Sequence, residues 1–568
     1  MARIWTLAPA LVLALAAAAV ADARTRDGRV HANAAPRPSV PRVAAAHDGP
    51  VTSRNGTQLP PYNTTYYFDQ LIDHTDPARG TFKQRFWSTY EFYESGGPII
   101  LFTPGESNAQ PYSGYLTNRT INGQIAQELN GAAIVLEHRF YGLSNPYPDL
   151  SVASLQVHTI QQAIDDLEYF AKNVALPMPG GDAVKPGQAP WILIGGSYSG
   201  ALTSFTMVNK RGLFQAAYAS SAVVESIIDY WGYFQPILEY MPKNCSADVQ
   251  AVIAHIDSAF TSGSTKEIDS IKALFNMSAL THLDDAAGAL RNNLWDWQSL
   301  SPSSGYGTFF EFCDALEVKD GVSAGPKGWG LEHALKAWGA FWTETYYDSL
   351  CGDEDVVTCL GTYDPTQPYW TDTTVDNAGR SWNWIVYASV LAVERPILLC
   401  ALSCNEVGFY QEGAPKGHPT IVTRLVQPAY DERQCTYMFP EAYESLGHKL
   451  PVPNVDATNK AYHGWFVQEN HLFFANGHRK WSCACRGAAD TDLSTVSHVG
   501  DPWREATLAA DGTPFRSTPG QPLAISDGFH CSDLSTTNAA VDETVLAVQQ
   551  QALKAIAGWV AEWKPSKQ

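Results

Sequence analysis

Short apolar runs bounded by glycine or proline recur along the first half of this chain. Residues 98–103 (PIILFT), 132–137 (AAIVLE) and 191–196 (WILIGG) lack polar alternation, which predicts strands buried on both faces of a parallel sheet. Residues 214–223 read as a further strand. Helical spacing separates these runs. Over 159–174, Ile160, Ala163, Ile164, Leu167 and Phe170 recur at the helical period and predict an amphipathic helix just before the third run. From Ile227 to about Glu444 the pattern changes to aromatic-rich helical segments without clear parallel-strand runs. That stretch is too long for a loop and predicts a mostly helical insertion between strands. Strand-like pieces return at 471–475 and 522–525. A closing helix over 541–563 places Val545, Val548, Ala552, Leu553, Ile556, Trp559, Val560 and Trp563 on one face.

The third run breaks into Gly195-Gly196-Ser197-Tyr198-Ser199-Gly200 and then continues as a helical pattern. A buried strand that turns sharply into a helix needs small residues two positions either side of a nucleophile, so Ser197 is the candidate nucleophile. The pattern is G-x-S-x-S, with Ser199 in the place often held by glycine. Downstream come Asp501 in D-P-W and His530 in H-C-S-D. The order Ser, Asp, His is that of an α/β-hydrolase triad and differs from the chymotrypsin and subtilisin orders. The expected fold is therefore an α/β-hydrolase with a large helical cap inserted between strands. Its parts are a first hydrolase segment over 62–226, the cap over 227–444 and a second hydrolase segment over 445–568. The oxyanion hole should use the backbone N–H of Tyr198 and one from the loop after 98–103, at Gly105 or Glu106.

Composition adds a destination. Arg3, the apolar stretch 11–20 and Ala21-Asp22-Ala23 read as a signal peptide over 1–23. Residues 24–61 are rich in Ala, Pro and Arg and read as a flexible, propeptide-like leader that cannot bury enough of itself to order. Ten cysteines and five N-x-S/T sequons, at Asn55, Asn63, Asn118, Asn244 and Asn276, suit disulfides and glycosylation in a secreted or vacuolar protein. The chain carries 58 acidic against 38 basic residues, a formal charge of −20, which excludes nucleic acid and anionic membranes as expected partners. The most apolar later stretch, 385–402, is interrupted by Glu394, Arg395 and Pro396, so no membrane span is expected. Cys483 and Cys485 lack a companion cluster of zinc-site spacing, and no metal or cofactor is expected.

From Tyr66 onward the chain resembles the S28 serine peptidases, the family of lysosomal Pro-X carboxypeptidase and dipeptidyl peptidase II, and within it the fungal acid prolyl endopeptidases. The resemblance rests on FDQLIDH at 68–74, TFKQRF at 81–86, TPGE at 103–106, EHRFYG at 137–142, the elbow, DPW at 501–503 and GFHCSDL at 528–534. It implies cleavage on the carboxyl side of proline in peptide substrates, commonly at acid pH, with Ser197 as nucleophile, His530 as base and Asp501 as acid. It also implies that Trp503 walls the proline pocket, a role a flat aromatic face suits. Endopeptidase action follows from the fungal resemblance alone, with a carboxypeptidase or dipeptidyl peptidase as the alternative. An ester hydrolase and a catalytically dead glycoprotein on the same scaffold are the other readings.

Other titratable groups compete for the serine. His74, His138 and the pair Asp165-Asp166 precede it in the chain and are expected in structural ion pairs or on a helix face. Two stretches, 385–403 and 478–499, interrupt the family pattern. The second directly precedes Asp501 and has no apolar periodicity. Both are open to two explanations, real surface loops or translated introns.

Overall fold

The computed structural model describes residues 29–45, 49–387, 406–445, 454–477 and 500–565. The expected signal peptide, the stretch 478–499, all of 385–403 beyond Tyr387, and Cys400, Cys483 and Cys485 lie outside them.

The apolar runs assemble into one eight-stranded sheet. In chain order its strands are β1 (Tyr66–Leu71), β2 (Thr81–Thr89), β3 (Ile99–Thr103), β4 (Ala132–Leu136), β5 (Trp191–Gly196), β6 (Ala216–Ser220), β7 (Leu472–Gly477) and β8 (Leu523–Ser526). Across the sheet they run β8-β7-β6-β5-β3-β4-β2-β1. Only the two pairings of β2, with β1 and with β4, are antiparallel. The chain crosses back from β4 past β3 to β5, so the strand order reverses beside the central β5, and the crevice beyond its carboxyl end is where such sheets hold ligands.

Strands β3 to β6 are buried at every residue, as their unbroken apolar character requires. Alternate residues feed two cores. Leu101, Ile134, Leu193 and Ala217 pack with α2 (Ile160–Asn173) and α3 (Tyr198–Asn209) on one face. Phe102, Val135, Ile194 and Tyr218 pack on the other with α1 (Ile121–Leu129) and the closing helix α8 (Glu543–Ala561). In α8 the buried set includes Val545, Val548, Ala552, Ile556 and Trp559, a stripe along the expected face. The chain is an α/β-hydrolase.

Between β6 and β7 lies the helical insertion, which includes α4 (Lys243–Ser262), α5 (Thr308–Glu317), α6 (Leu331–Phe341) and α7 (Pro428–Met438). The Cys245–Cys313 disulfide ties α4 to α5, and Cys351–Cys359 closes a small loop. Two three-residue runs, Ile227–Asp229 and Gly408–Tyr410, pair in parallel at the base of the insertion, too short to show a period in sequence. Over 29–45 the 24–61 segment departs from the expected flexible leader, while Arg54 to Gln58 are exposed. Val30, His31, Asn33, Arg37, Val40 and Val43 are buried. Compositional reasoning counts only what a segment buries against itself. Here the apolar surface comes from the rest of the molecule.

Candidate active site

Ser197 joins β5 to α3 in a left-handed backbone conformation, φ 61° and ψ −127°. A non-glycine residue there costs on the order of 1–3 kcal/mol and persists only when its surroundings over-determine it. They do. A Cβ on Gly195 would lie 2.1 Å from the Ser199 carbonyl oxygen, and one on Gly200 would lie 2.8 Å from that of Ser220. Ser199 accepts from the Gly196 N–H at 3.0 Å and donates to the Thr103 carbonyl at 2.7 Å. Its hydroxyl thus ties the elbow to β3, a bond that glycine in this position would lack. The Ser197 N–H donates to Ser220 O at 2.8 Å.

Around this elbow the structure brings together the three residues singled out by the elbow and the D-P-W and H-C-S-D motifs. His530 Nε2 lies 2.7 Å from Ser197 Oγ, and His530 Nδ1 lies 2.8 Å from Asp501 Oδ1. All three side chains are buried. Asp501 follows β7, where it accepts from the Trp503 N–H at 2.9 Å and from Asn476 Nδ2 at 3.3 Å. His530 follows β8. Its loop is pinned to β6 by Tyr218 OH and Ser220 Oγ, which donate to the two Asp533 oxygens at 2.5 and 2.9 Å. The Cys531 N–H, in a residue with φ 54°, donates to Ser221 Oγ at 2.9 Å. Burial alone would depress the His530 imidazole, but the Asp501 carboxylate and Cys531 hold it well above the ordinary histidine range.

The Tyr198 N–H, first of α3, donates to the carbonyl oxygen of Pro38 at 3.4 Å. The Gly105 N–H goes to Thr103 Oγ1 at 3.4 Å. Glu106 is fully buried, its main-chain carbonyl accepting from the Arg37 guanidinium. Neither of its carboxylate oxygens has a hydrogen-bond partner among the described residues. Burial pushes this carboxyl up to about 8, with Arg37 and His530 acting in the opposite sense.

Trp503 is almost fully buried, its ring 6.3 Å from His530. Tyr230, Tyr233 and Phe409 surround it at 5.6, 5.3 and 5.4 Å. Its indole N–H donates to Gln298 Oε1 at 2.7 Å, and Tyr233 OH donates to the same oxygen at 3.1 Å. Sequence reasoning missed Gln298 and the three aromatic partners, which come from the insertion. The aromatic cluster 230–234 was the available signal, and nothing marked Gln298.

The competing groups have other partners. His74 and Arg139 both pair with Asp166, Lys210 pairs with Asp165, and His138 Nδ1 lies 2.8 Å from Arg139 O. Among the sequons, Asn55, Asn63, Asn118 and Asn276 are exposed, while the half-buried Asn244 amide donates to Ser323 and Ala324. Among the described residues there is no cluster of three or more potential metal ligands, and no helix is long and apolar enough to cross a membrane.

A parallel sheet whose central strand ends in a serine elbow, with histidine and aspartate supplied from later strand ends, defines a serine hydrolase of the α/β class. Residues 70–295 match the serine carboxypeptidase S28 family. The chain is 33% identical over 518 residues to the serine protease vicPa of Bipolaris victoriae, covering 88% of this chain and 89% of that one. It is 28% identical over 514 residues to a probable extracellular serine carboxypeptidase of Arthroderma benhamiae, with 85% and 64% covered. With human lysosomal Pro-X carboxypeptidase it shares 30% identity over 195 residues, with 33% and 37% covered. The chain belongs to the S28 family and is a serine-type peptidase.

Proposed function

We propose that this peptidase is exported and cuts peptides on the carboxyl side of proline, as an endopeptidase at acid pH. The observation that carries the reading is the Ser197–His530–Asp501 relay at 2.7 and 2.8 Å, beside a Tyr198 N–H that holds the carbonyl of a proline. In this reading His530 takes the Ser197 proton as the hydroxyl attacks the carbonyl carbon, while the Tyr198 N–H, aided by one from the Gly105-Glu106 loop, steadies the oxyanion. His530 then protonates the departing amine. Asp501 fixes the tautomer and balances the imidazolium. Water resolves the acyl-enzyme by the same route in reverse.

Four features support the finer points. The buried aromatic cluster of Tyr230, Tyr233, Phe409 and Trp503 stands beside His530, where a flat apolar face would suit a pyrrolidine ring. A similar enzyme is named for Pro-X cleavage. Endopeptidase action is supported because chain on both sides of Pro38 lies in the cleft, so a continuous backbone fits there. For acid conditions, burial pushes Glu106 and Glu406 up to about 8 and Glu412 up to about 9, groups the fold holds best when protonated. His530 pulls the other way, since only the neutral imidazole acts as a base. Turnover of an N-blocked peptide-Pro-nitroanilide tests the proposal. Hydrolysis confined to substrates with a free terminus would replace it with the exopeptidase reading, and hydrolysis of acyl esters without preference for proline would replace it with an esterase.

A further inference from the structure

Residues 29–45, RVHANAAPRPSVPRVAA, have no core of their own, yet they lie in the cleft and are gripped along their length. On the cap side, Arg29 Nη1 donates to Asn292 Oδ1 at 2.7 Å, and Asn33 Nδ2 donates to Leu360 O at 2.7 Å. On the far side, Tyr115 OH donates to Pro41 O at 2.8 Å, and Arg119 Nη1 donates to Ala44 O at 3.0 Å. Val40 packs so closely on the elbow that a Cβ on Gly196 would meet its Cγ1 at 2.8 Å.

The middle of the segment is held by the site itself. Gln298 Nε2 donates to Arg37 O at 2.7 Å, with the same amide's oxygen bound to Trp503, and the next carbonyl, Pro38 O, accepts from the Tyr198 N–H. The segment has three prolines, at 36, 38 and 41, and its register sets Pro38 on the oxyanion donor. A cavity of about 570 Å³, lined in part by Ser39, Val40, Gln298 and His530, adjoins the bond that follows Pro38.

We propose that the leader is the enzyme's own first substrate: it closes the cleft while intact, and Ser197 cuts it between Pro38 and Ser39. The proposal rests on the proline-specific reading above. Ser197 Oγ adds to the Pro38 carbonyl carbon and its proton passes to His530 Nε2. The Pro38–Ser39 C–N bond then breaks, and His530 returns the proton to the Ser39 nitrogen, which leaves as a new amino terminus. One water attacks the Ser197–Pro38 ester, regenerating the hydroxyl and leaving Pro38 with a free carboxylate. Before the cut the segment competes with any substrate at a tethered effective concentration on the order of millimolar. Afterwards the piece ending at Pro38 has only its own contacts to hold it.

The test uses the full chain, secreted as wild type, Ser197→Ala and Pro38→Ala. Each is analysed by intact mass and amino-terminal peptide mapping, and each is assayed on an N-blocked peptide-Pro-nitroanilide. Wild type should begin at Ser39 and be active, while both variants begin upstream. Pro38→Ala, with its triad untouched, should turn over substrate roughly tenfold or more slowly because its tethered leader stays in place. Active wild type that begins upstream of Ser39 overturns self-cleavage and leaves the proline reading standing. Ser197→Ala that also begins at Ser39 assigns the cut to another protease and overturns it too. Pro38→Ala trimmed at Ser39 as fully as wild type overturns the register. Wild type that begins at Ser39 but leaves the nitroanilide untouched refutes the endopeptidase reading by a separate signature.

Discussion

The two halves of the site are built by different means. The arm that carries the proposed nucleophile is a short local segment whose position follows from backbone sterics, because Gly195 and Gly200 sit where any side chain would strike main-chain oxygen. The arm that carries the proposed acid and base comes from loops after β7 and β8 and is aimed by side-chain hydrogen bonds from Asn476, Tyr218, Ser220 and Ser221. Such bonds each contribute about 1 kcal/mol net. The elbow is rigid by exclusion, whereas the other arm is steered by many small attractions. One therefore fails abruptly when altered, and the other should fail by degrees.

The largest expected effect breaks the chemistry on either side of that divide. Ser197→Ala and His530→Ala should each lower kcat by roughly 10⁴-fold or more with an unchanged melting temperature, because triad members act as a unit. Stopped or endpoint assays beside a thermal melt decide this, and near-normal turnover in either variant would refute the assignment. Next comes Trp503→Ala, which should raise KM and cut the proline-over-alanine preference by roughly 10–100-fold while sparing kcat more. Kinetics on matched Pro and Ala substrates check it.

A third prediction concerns pH. Glu106 and Glu406 sit at about 8 when folded against an ordinary value of 4.5. A carboxyl raised on folding gives its full stabilisation below 4.5 and loses it as pH climbs to about 8. The melting temperature should therefore fall by roughly 5–10 °C between pH 4.5 and 8. Differential scanning fluorimetry across that window would show a flat or rising curve if the carboxyls were not held protonated. The smallest effect is expected from deleting residues 478–499. The Asp501 N–H already donates to Gly477 O at 3.4 Å, so the ends of the stretch stand together. Activity should stay within about threefold of the full chain, since loop length itself costs little. Collapse of activity would make the stretch part of the steering of Asp501.

Much of this was legible in the sequence because it is local. Unbroken apolar runs marked the parallel strands β3 to β6, and small residues around Ser197 marked the elbow. The hairpin of β1 and β2 did not announce itself as strands, since half of Tyr66–Leu71 faces outward and the run carries polar residues. Asp501 and His530 were found through the D-P-W and H-C-S-D motifs of the resemblance, in triad order, but their steering groups were not, because Asn476, Tyr218 and Ser220 have no short-range pattern linking them to either. Gln298 and the aromatic box were invisible for the same reason. Their proximity to Trp503 comes from the fold of the insertion. The packed leader was misread because its partners lie far along the chain, from 69 positions for Arg37 on Glu106 to 327 for Asn33 on Leu360.

Gln298 couples two parts of the molecule. It belongs to the insertion, yet one end of its amide holds the indole of Trp503 on the hydrolase side and the other holds the backbone of the chain in the cleft. Any displacement of the helical layer that moves Gln298 must therefore also tug on Trp503. On the proline-specific reading proposed above, entry and selectivity share a single mechanical linkage, so a mutation that loosens the roof to take bulkier proteins would blur the choice of residue at the cut.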